Sequence, residues 1–402
     1  MAMKQTQTKM FDFSDVGLDF CAGSKNLFPD RFKKMLSLGY NEQTVSSVAV
    51  SGNQVTFTYG GTHGYVADRV LKVSAPELLN INDGEFVIDS VTANTITMTI
   101  DGAPASIAGN FITKVASLGW EIVYEQAHIQ VYKFRHIDDT DMYARLCFQN
   151  ATTTGNRNCI AVGVGRTVDL ATGHITDQNC PTDLATCATV LDATSNLRWD
   201  FTDSTARAFD NYTYTRGYSS FGKAIVVGSI YHFLIMSHVG SYTNSGYTQG
   251  IMPTSLVENY SEINYPCLIC SMNRASTTAA DGGQAQCIRF YAGKTELYAD
   301  PKTRILRNIA KNSFVSIDTF NTTIAKPMLM HEATTGQFLG CIVGLYQCMY
   351  DSSNKPSPLN TITPQLSFDI DLENMVYVQS CAQSSTDSAY LLVIMEEIKI
   401  VD

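Results

Sequence analysis

The residues able to do chemistry are scattered along the chain. Cys267 and Cys270, separated by Leu268 and Ile269, form the closest cysteine pair. A zinc ribbon needs a second such pair or two suitably spaced histidines, and Cys180, Cys187 and Cys287 do not supply that spacing. A thioredoxin-type pair heads a helix, whereas this one follows Tyr265-Pro266 in an apolar, strand-like run. Residues three apart on a strand point to opposite faces. The pair therefore reads as two buried thiols. Cys147 and Cys341 also sit in apolar runs, and the total of eleven cysteines over 402 residues does not describe a small disulfide scaffold. Reduced core thiols fit better.

The seven histidines (His63, His128, His136, His174, His232, His238, His331) are equally dispersed. His232 and His238 are six apart, which does not place them on one helical face, and they read as polar groups in or beside a sheet. His63, within Gly61-Thr62-His63-Gly64, reads as a turn residue whose imidazole caps backbone groups. Asp138, Asp139 and Asp141, with Asp200 and Asp203, form acidic clusters without the spacing of an EF-hand loop, and solvated turns are expected there. Gly163-Val164-Gly165-Arg166 is too short for a phosphate loop and predicts a turn or close strand packing. No Gly-x-Ser-x-Gly elbow occurs. The expectation is a chain with no cofactor, no metal site and no enzymatic activity. One constellation suggests contact rather than catalysis. Phe209, Tyr212, Tyr214, Tyr218 and Phe221 alternate with Asn, Thr, Arg and Gly, a composition suited to a protein interface or a sugar-stacking face.

Composition narrows the partners. Net charge is 28 − 38 = −10, and the basic groups at residues 31–34 and 302–311 are small. Nucleic-acid binding needs a basic footprint to displace counterions, so it is not expected. The longest apolar stretch, Ala224 to Met236, is interrupted by Gly228, Ser229, Tyr231 and His232 and is short of the roughly 20 residues that span a bilayer. No membrane insertion is expected, and Met1 to Lys9 lacks the apolar core of a secretory signal. Only 16% of residues are charged. Thr, Ser, Asn, Tyr and Gly take their place, so few charges need desolvation when a large interface forms.

The elements that would position these residues read as strands. Val55-Thr56-Phe57-Thr58-Tyr59 and Thr95-Ile96-Thr97-Met98-Thr99-Ile100 alternate polar and apolar residues, and Gly, Asn and Asp punctuate them. Similar runs follow from Trp120, Ile129, Tyr143, Cys159, Leu197, Ile225, Tyr265, Lys326, Gly340, Tyr377 and Tyr390. Pro29 to Leu38 predicts one short helix, stopped by Gly39. The reading is a mainly β chain in three parts. Residues 1–41 form an N-terminal arm and short helix. Residues 42–102 form a small β-barrel or sandwich module. Residues 110–402 form a larger β-sandwich-like region with few short helices, divisible near 195–225.

The module resembles a small domain of tail-associated proteins of tailed bacteriophages. Thr62-His63-Gly64, Asp83-Gly84-Glu85-Phe86 and Val91-Thr92-Ala93-Asn94-Thr95 carry the likeness, with Asp83 where Asn is commoner. Leu118-Gly119-Trp120-Glu121, Tyr231-His232-Phe233, Asn264-Tyr265-Pro266-Cys267, Pro327-Met328-Leu329-Met330 and the run from Gly340 to Gln347 are similar to phage virion proteins. The resemblance implies a non-catalytic, multi-copy virion protein of the tail, of the sheath, collar or appendage type, assembled in the host bacterial cytoplasm. Its partners would be copies of itself and other virion proteins. The alternatives are a tail protein that binds a receptor or host-surface glycan, a capsid decoration protein, and a glycan-degrading enzyme.

Overall fold

The computed structural model describes residues 7–18, 28–75, 81–107, 111–149, 159–192, 197–201, 224–238, 246–271, 288–299, 324–349, 365–366, 375–380 and 390–398. The fold is mainly β, with large curled antiparallel sheets consistent with a β-sandwich-like architecture.

Strand β1 (Lys9–Asp12) is followed by helix α1 (Phe28–Lys33), which widens into a π-turn over Lys34–Leu38. Gly39 ends it as the sequence predicts. At φ +75° it sends its N–H back to the Lys34 carbonyl, and a Cβ there would collide with the Val115 carbonyl.

Seven strands form the module: β2 (Tyr40–Ser51), β3 (Gln54–Tyr59), β4 (Val70–Ser74), β5 (Glu85–Val87), β6 (Ser90–Val91), β7 (Thr95–Thr99) and β8 (Ile112–Val115). Their order is β5-β4-β8-β2-β3-β7-β6. The module therefore runs past residue 102, because β8 lies between β4 and β2 and sends Val115 into the core while Tyr59 and Tyr65 hold Thr113.

The larger sheet system holds 18 strands among the described residues. It takes up β9 (Glu121–Gln126), β10 (Ile129–Arg135), β11 (Asp141–Phe148) and β12 (Cys159–Gly165). A two-stranded ribbon, β13 (Val168–Asp169) with β14 (His174–Ile175), and helix α2 (Thr182–Thr186) lie between β12 and β15 (Arg198–Asp200). The sheet continues through β16 (Ala224–Ser229), β17 (His232–His238), β18 (Gly246–Met252), β19 (Thr254–Leu256), β20 (Cys267–Ser271), β21 (Ile288–Ala292) and β22 (Thr295–Tyr298). It ends with β23 (Ile324–Glu332), β24 (Phe338–Met349), β25 (Gln365–Leu366), β26 (Met375–Ser380) and β27 (Tyr390–Ile394). Strand pairings among the described residues are antiparallel, as between β10 and β11 and between β16 and β17.

Residues 9–12 do not project as an arm. Lys9 to Asp12 pair with Gly228 to Ile225 of β16. The reason is visible in the side chains, since Met10, Phe11 and Phe13 are all buried and an extended arm would expose them. Lys9 is buried too, with its ammonium on the Ser117 carbonyl and the Glu85 carboxylate of the module. Burial lowers its pKa, and Glu85 opposes that shift.

Buried His232 gives the large sheet an acid-sensitive point. Its Nδ1 shares a hydrogen bond with Ser229 Oγ at 2.9 Å, and its Nε2 has no hydrogen-bond partner among the described residues. Burial pushes its pKa down to about 3. The unfolded imidazole titrates near 6.5. Between these two values the unfolded chain binds the extra proton, so stability falls as pH drops through the window, by ~1.4 kcal/mol per unit at most. Substituting His232→Asn keeps a hydrogen-bonding group beside Ser229 and removes the titration. Between pH 7 and 5 this variant should lose about 2 kcal/mol less stability than the parent, measured by denaturant unfolding at both pH values. Parallel pH profiles for the two chains would refute the assignment.

Candidate functional site: an uncharged hydroxyl face

Half of the module is a small sheet of β2, β3, β7 and β6 whose two faces differ sharply. Its inner face carries Val55, Phe57, Ile96 and Met98, all fully buried. Its outer face follows from the strand register. Ser47, Thr58 and Thr95 form one row across the strands. Ala49, Thr56, Thr97 and Ser90 form the next. Ser51, Gln54 and Thr99 form the third. Every one of these ten residues is exposed or half-buried, and none is charged.

The period-two alternation in the sequence dictates this arrangement, because successive residues of a strand point to opposite faces. β-Branched threonine suits it, being stiff at χ1 and favourable in strands. Residues within a row lie about 4.8 Å apart across the strands, and successive rows lie about 6.8 Å apart along them. Hydroxyls therefore form a near-regular grid. Thr56 and Thr97 Oγ1 are 3.1 Å apart and share a hydrogen bond. At one margin Thr99 donates to Asp89 Oδ2 at 2.8 Å.

The face is held rigid from behind. His63 is buried, its Nδ1 accepts from the Tyr65 N–H at 2.9 Å, and its Nε2 lies 3.0 and 3.2 Å from the Thr92 and Thr95 carbonyls. An Nε2–H tautomer satisfies both sides. His63 thus caps the turn between β6 and β7, the backbone role expected of it. Tyr59 and Tyr65 bracket Thr113, with the Tyr59 hydroxyl 2.9 Å from Thr113 Oγ1 and the Tyr65 hydroxyl donating to the Thr113 carbonyl at 2.9 Å. Burial raises both phenol pKa values, so both stay neutral.

Such a face offers donors and acceptors together, and its charged neighbour Asp89 stands at the margin. It can lie against a second flat polar surface, where each hydroxyl either donates or accepts.

The other sequence-derived candidates separate. Phe209, Tyr212, Tyr214, Tyr218 and Phe221 fall outside the described residues. Cys267 and Cys270 are buried in β20, and burial raises the Cys267 thiol pKa. The acidic run at 138–141 is a turn tied to bases. Lys133 and Arg135 reach Asp141 at 2.8 and 3.2 Å, and His136 Nδ1 lies 3.2 Å from Asp138. Burial raises the Asp138 pKa, but bonds from the Thr140 hydroxyl and N–H, with His136 beside it, bring it down to about 2. Gly163 and Gly165 serve close packing. A Cβ on Gly163 would press on the Leu184 carbonyl and Cys180 Sγ, and one on Gly165 would strike Ile175. Among the described residues no group of three or more His, Cys, Asp or Glu is placed to hold a metal ion. No helix among them is long and apolar enough to cross a membrane.

Sequence reasoning missed two buried arginines. Arg69 forms a two-bond pair with Asp15, and Arg145 holds the segment around Cys187. Arg145 lies within the run Tyr143-Ala144-Arg145-Leu146-Cys147, which is buried on both faces from Ala144 onward, so a period-two pattern does not single it out. No protein-family model matches this chain, and no curated protein matches its sequence.

Proposed function

We propose that this chain is a multi-copy structural subunit of a tailed-phage virion, placed in the tail as a sheath, collar or appendage component, and that it acts by self-assembly. The observation that carries the reading is the uncharged hydroxyl face on β2, β3, β7 and β6. A contact between copies buries such a face at little desolvation cost. The likeness of Thr62-His63-Gly64 and its companion turns to tail-associated modules supplies the virion setting. In a ring or tube the contact would be heterologous, with the hydroxyl face of one copy against a different face of the next.

The test introduces charge at the centre of the face. Thr56 and Thr97 are directly opposed across the strands, so the double substitution T56K/T97K places two ammonium groups side by side on a surface that must desolvate. The parent chain should form large assemblies in light scattering and electron microscopy, and the double variant should remain dispersed with its far-ultraviolet dichroism retained. A parent chain that stays monomeric at all concentrations, or a double variant that assembles as well as the parent, would overturn the reading.

A further inference from the structure

Buried beside β11, away from the hydroxyl face, lies a second chemical centre. Arg145 and Cys147 are two apart on β11 and share a face of the sheet. Both are fully buried, and Cys187, just beyond α2, is 4% exposed. The Arg145 guanidinium is spent on the segment that brings Cys187 in. Its Nε donates to the Gly173 carbonyl at 2.9 Å, its Nη2 to the Cys187 carbonyl at 2.8 Å, and its Nη1 to Cys187 Sγ at 3.3 Å. The thiols of Cys147 and Cys187 lie near enough to perturb one another's ionisation, and neither is engaged in a disulfide.

We infer that Cys147 and Cys187 form a redox-sensitive dithiol that a hydroperoxide converts to an intramolecular disulfide. Three observations support it. Arg145 holds Cys187 against the face of β11 that carries Cys147, so the two thiols are near neighbours and closing the bond requires no large rearrangement. A cation donates a hydrogen bond to one sulfur only, which polarises the pair. The Cys147 S–H and Arg145 draw the Cys187 thiol pKa down, while the Cys187 contact and burial push that of Cys147 up. Cys187 is thus the nucleophile and Cys147 the resolving thiol. Cys180 stands nearby but is held as a thiol, since burial raises its pKa to about 12.

The chemistry balances with hydrogen peroxide as the oxidant. The Cys187 thiolate attacks one peroxide oxygen, the O–O bond breaks, and the departing hydroxide takes a proton to leave as water. The product is a sulfenic acid at Cys187. The Cys147 sulfur then attacks the Cys187 sulfur, forming the S–S bond and expelling a second water. Two thiol hydrogens and two electrons pass to peroxide, which is reduced to two waters. Peroxide is close to water in size, which suits so enclosed a site. The cross-link ties β11 to the segment that carries α2, along the path Arg145 already holds. The inference is independent of the assembly reading.

The experiment treats the full chain with hydrogen peroxide, blocks remaining thiols after unfolding, and maps peptides by mass spectrometry without reduction. The expected product is a Cys147–Cys187 cross-linked peptide that disappears with dithiothreitol, accompanied by a rise in melting temperature of about 5 °C. Cys180→Ser should leave the cross-link intact. Cys147→Ser should abolish it and leave a dimedone-reactive sulfenic acid at Cys187. If Cys147 and Cys187 are both recovered as blocked free thiols after the peroxide treatment while other cysteines oxidise, the inference fails. It also fails if Cys187 passes to the sulfinic acid with no cross-link. Both outcomes are read on the unsubstituted protein, so neither depends on a variant folding.

Discussion

Replacing Arg69 with methionine will destabilise the folded chain by about 3–5 kcal/mol, an effect expected when one partner of a buried ion pair is removed. Arg69 is 3% exposed and Asp15 6%. The guanidinium meets the carboxylate with two bonds, Nε to Oδ2 at 2.8 Å and Nη2 to Oδ1 at 3.0 Å. The same carboxylate accepts from the Tyr40 hydroxyl at 2.7 Å and from the Asp12 N–H at 3.0 Å. Without Arg69 the carboxylate stays buried with no countercharge, and hydrogen bonds alone do not replace it. The check is a double-mutant cycle by denaturant unfolding. R69M should be the more damaging single change. Adding Asp15→Asn should recover part of the loss, because the stranded charge is then gone. A fully additive cycle would show that the two residues act separately.

The second large effect concerns Phe32. Its ring lies 5.5 Å from that of Phe148, 5.7 Å from Phe233, 6.1 Å from Phe201, 6.2 Å from Phe28 and 6.3 Å from Trp199. These partners come from α1, β11, β15 with the residue after it, and β17. Phe32 is fully buried and pins the short helix onto the large sheet. Alanine should cost about 3–5 kcal/mol, the lost transfer free energy plus the cavity left among rigid rings. Leucine, which retains most of the volume, should cost less than half as much. Melting curves of the two variants decide this, and equal losses would mean that aromatic geometry rather than volume is what the site requires.

Much of the fold was legible in the sequence because its strands obey a strict period. The alternation from Val55 to Tyr59 and from Thr95 to Ile100 gave both faces of the module sheet, and Gly39 marked the end of the helix. The hydroxyl face was only half legible. Single strands revealed which residues point outward, but the three rows depend on register across β2, β3, β7 and β6, which no single strand encodes. The pairing of Lys9–Asp12 with β16 was hidden for the same reason, since long-range pairing leaves no local mark. The Arg145 centre was hidden differently. Buried arginine is rare enough that an isolated Arg in a strand reads as outward. Only the bonds to Gly173 and Cys187, 28 and 42 residues away, explain its burial.

The pairing of β1 with β16 sets an order in time. Lys9 faces Gly228, so its partner strand is synthesised 228 − 9 = 219 residues later. At about 5–20 residues per second on the ribosome, β1 waits roughly 10–45 s for it. The module's strands pair only with one another, within residues 40–115, and can close long before. During that interval Met10, Phe11 and Phe13 lack β16, the strand beside which they are buried. The apolar side chains of β1 thus go without their partner strand long after the module can close.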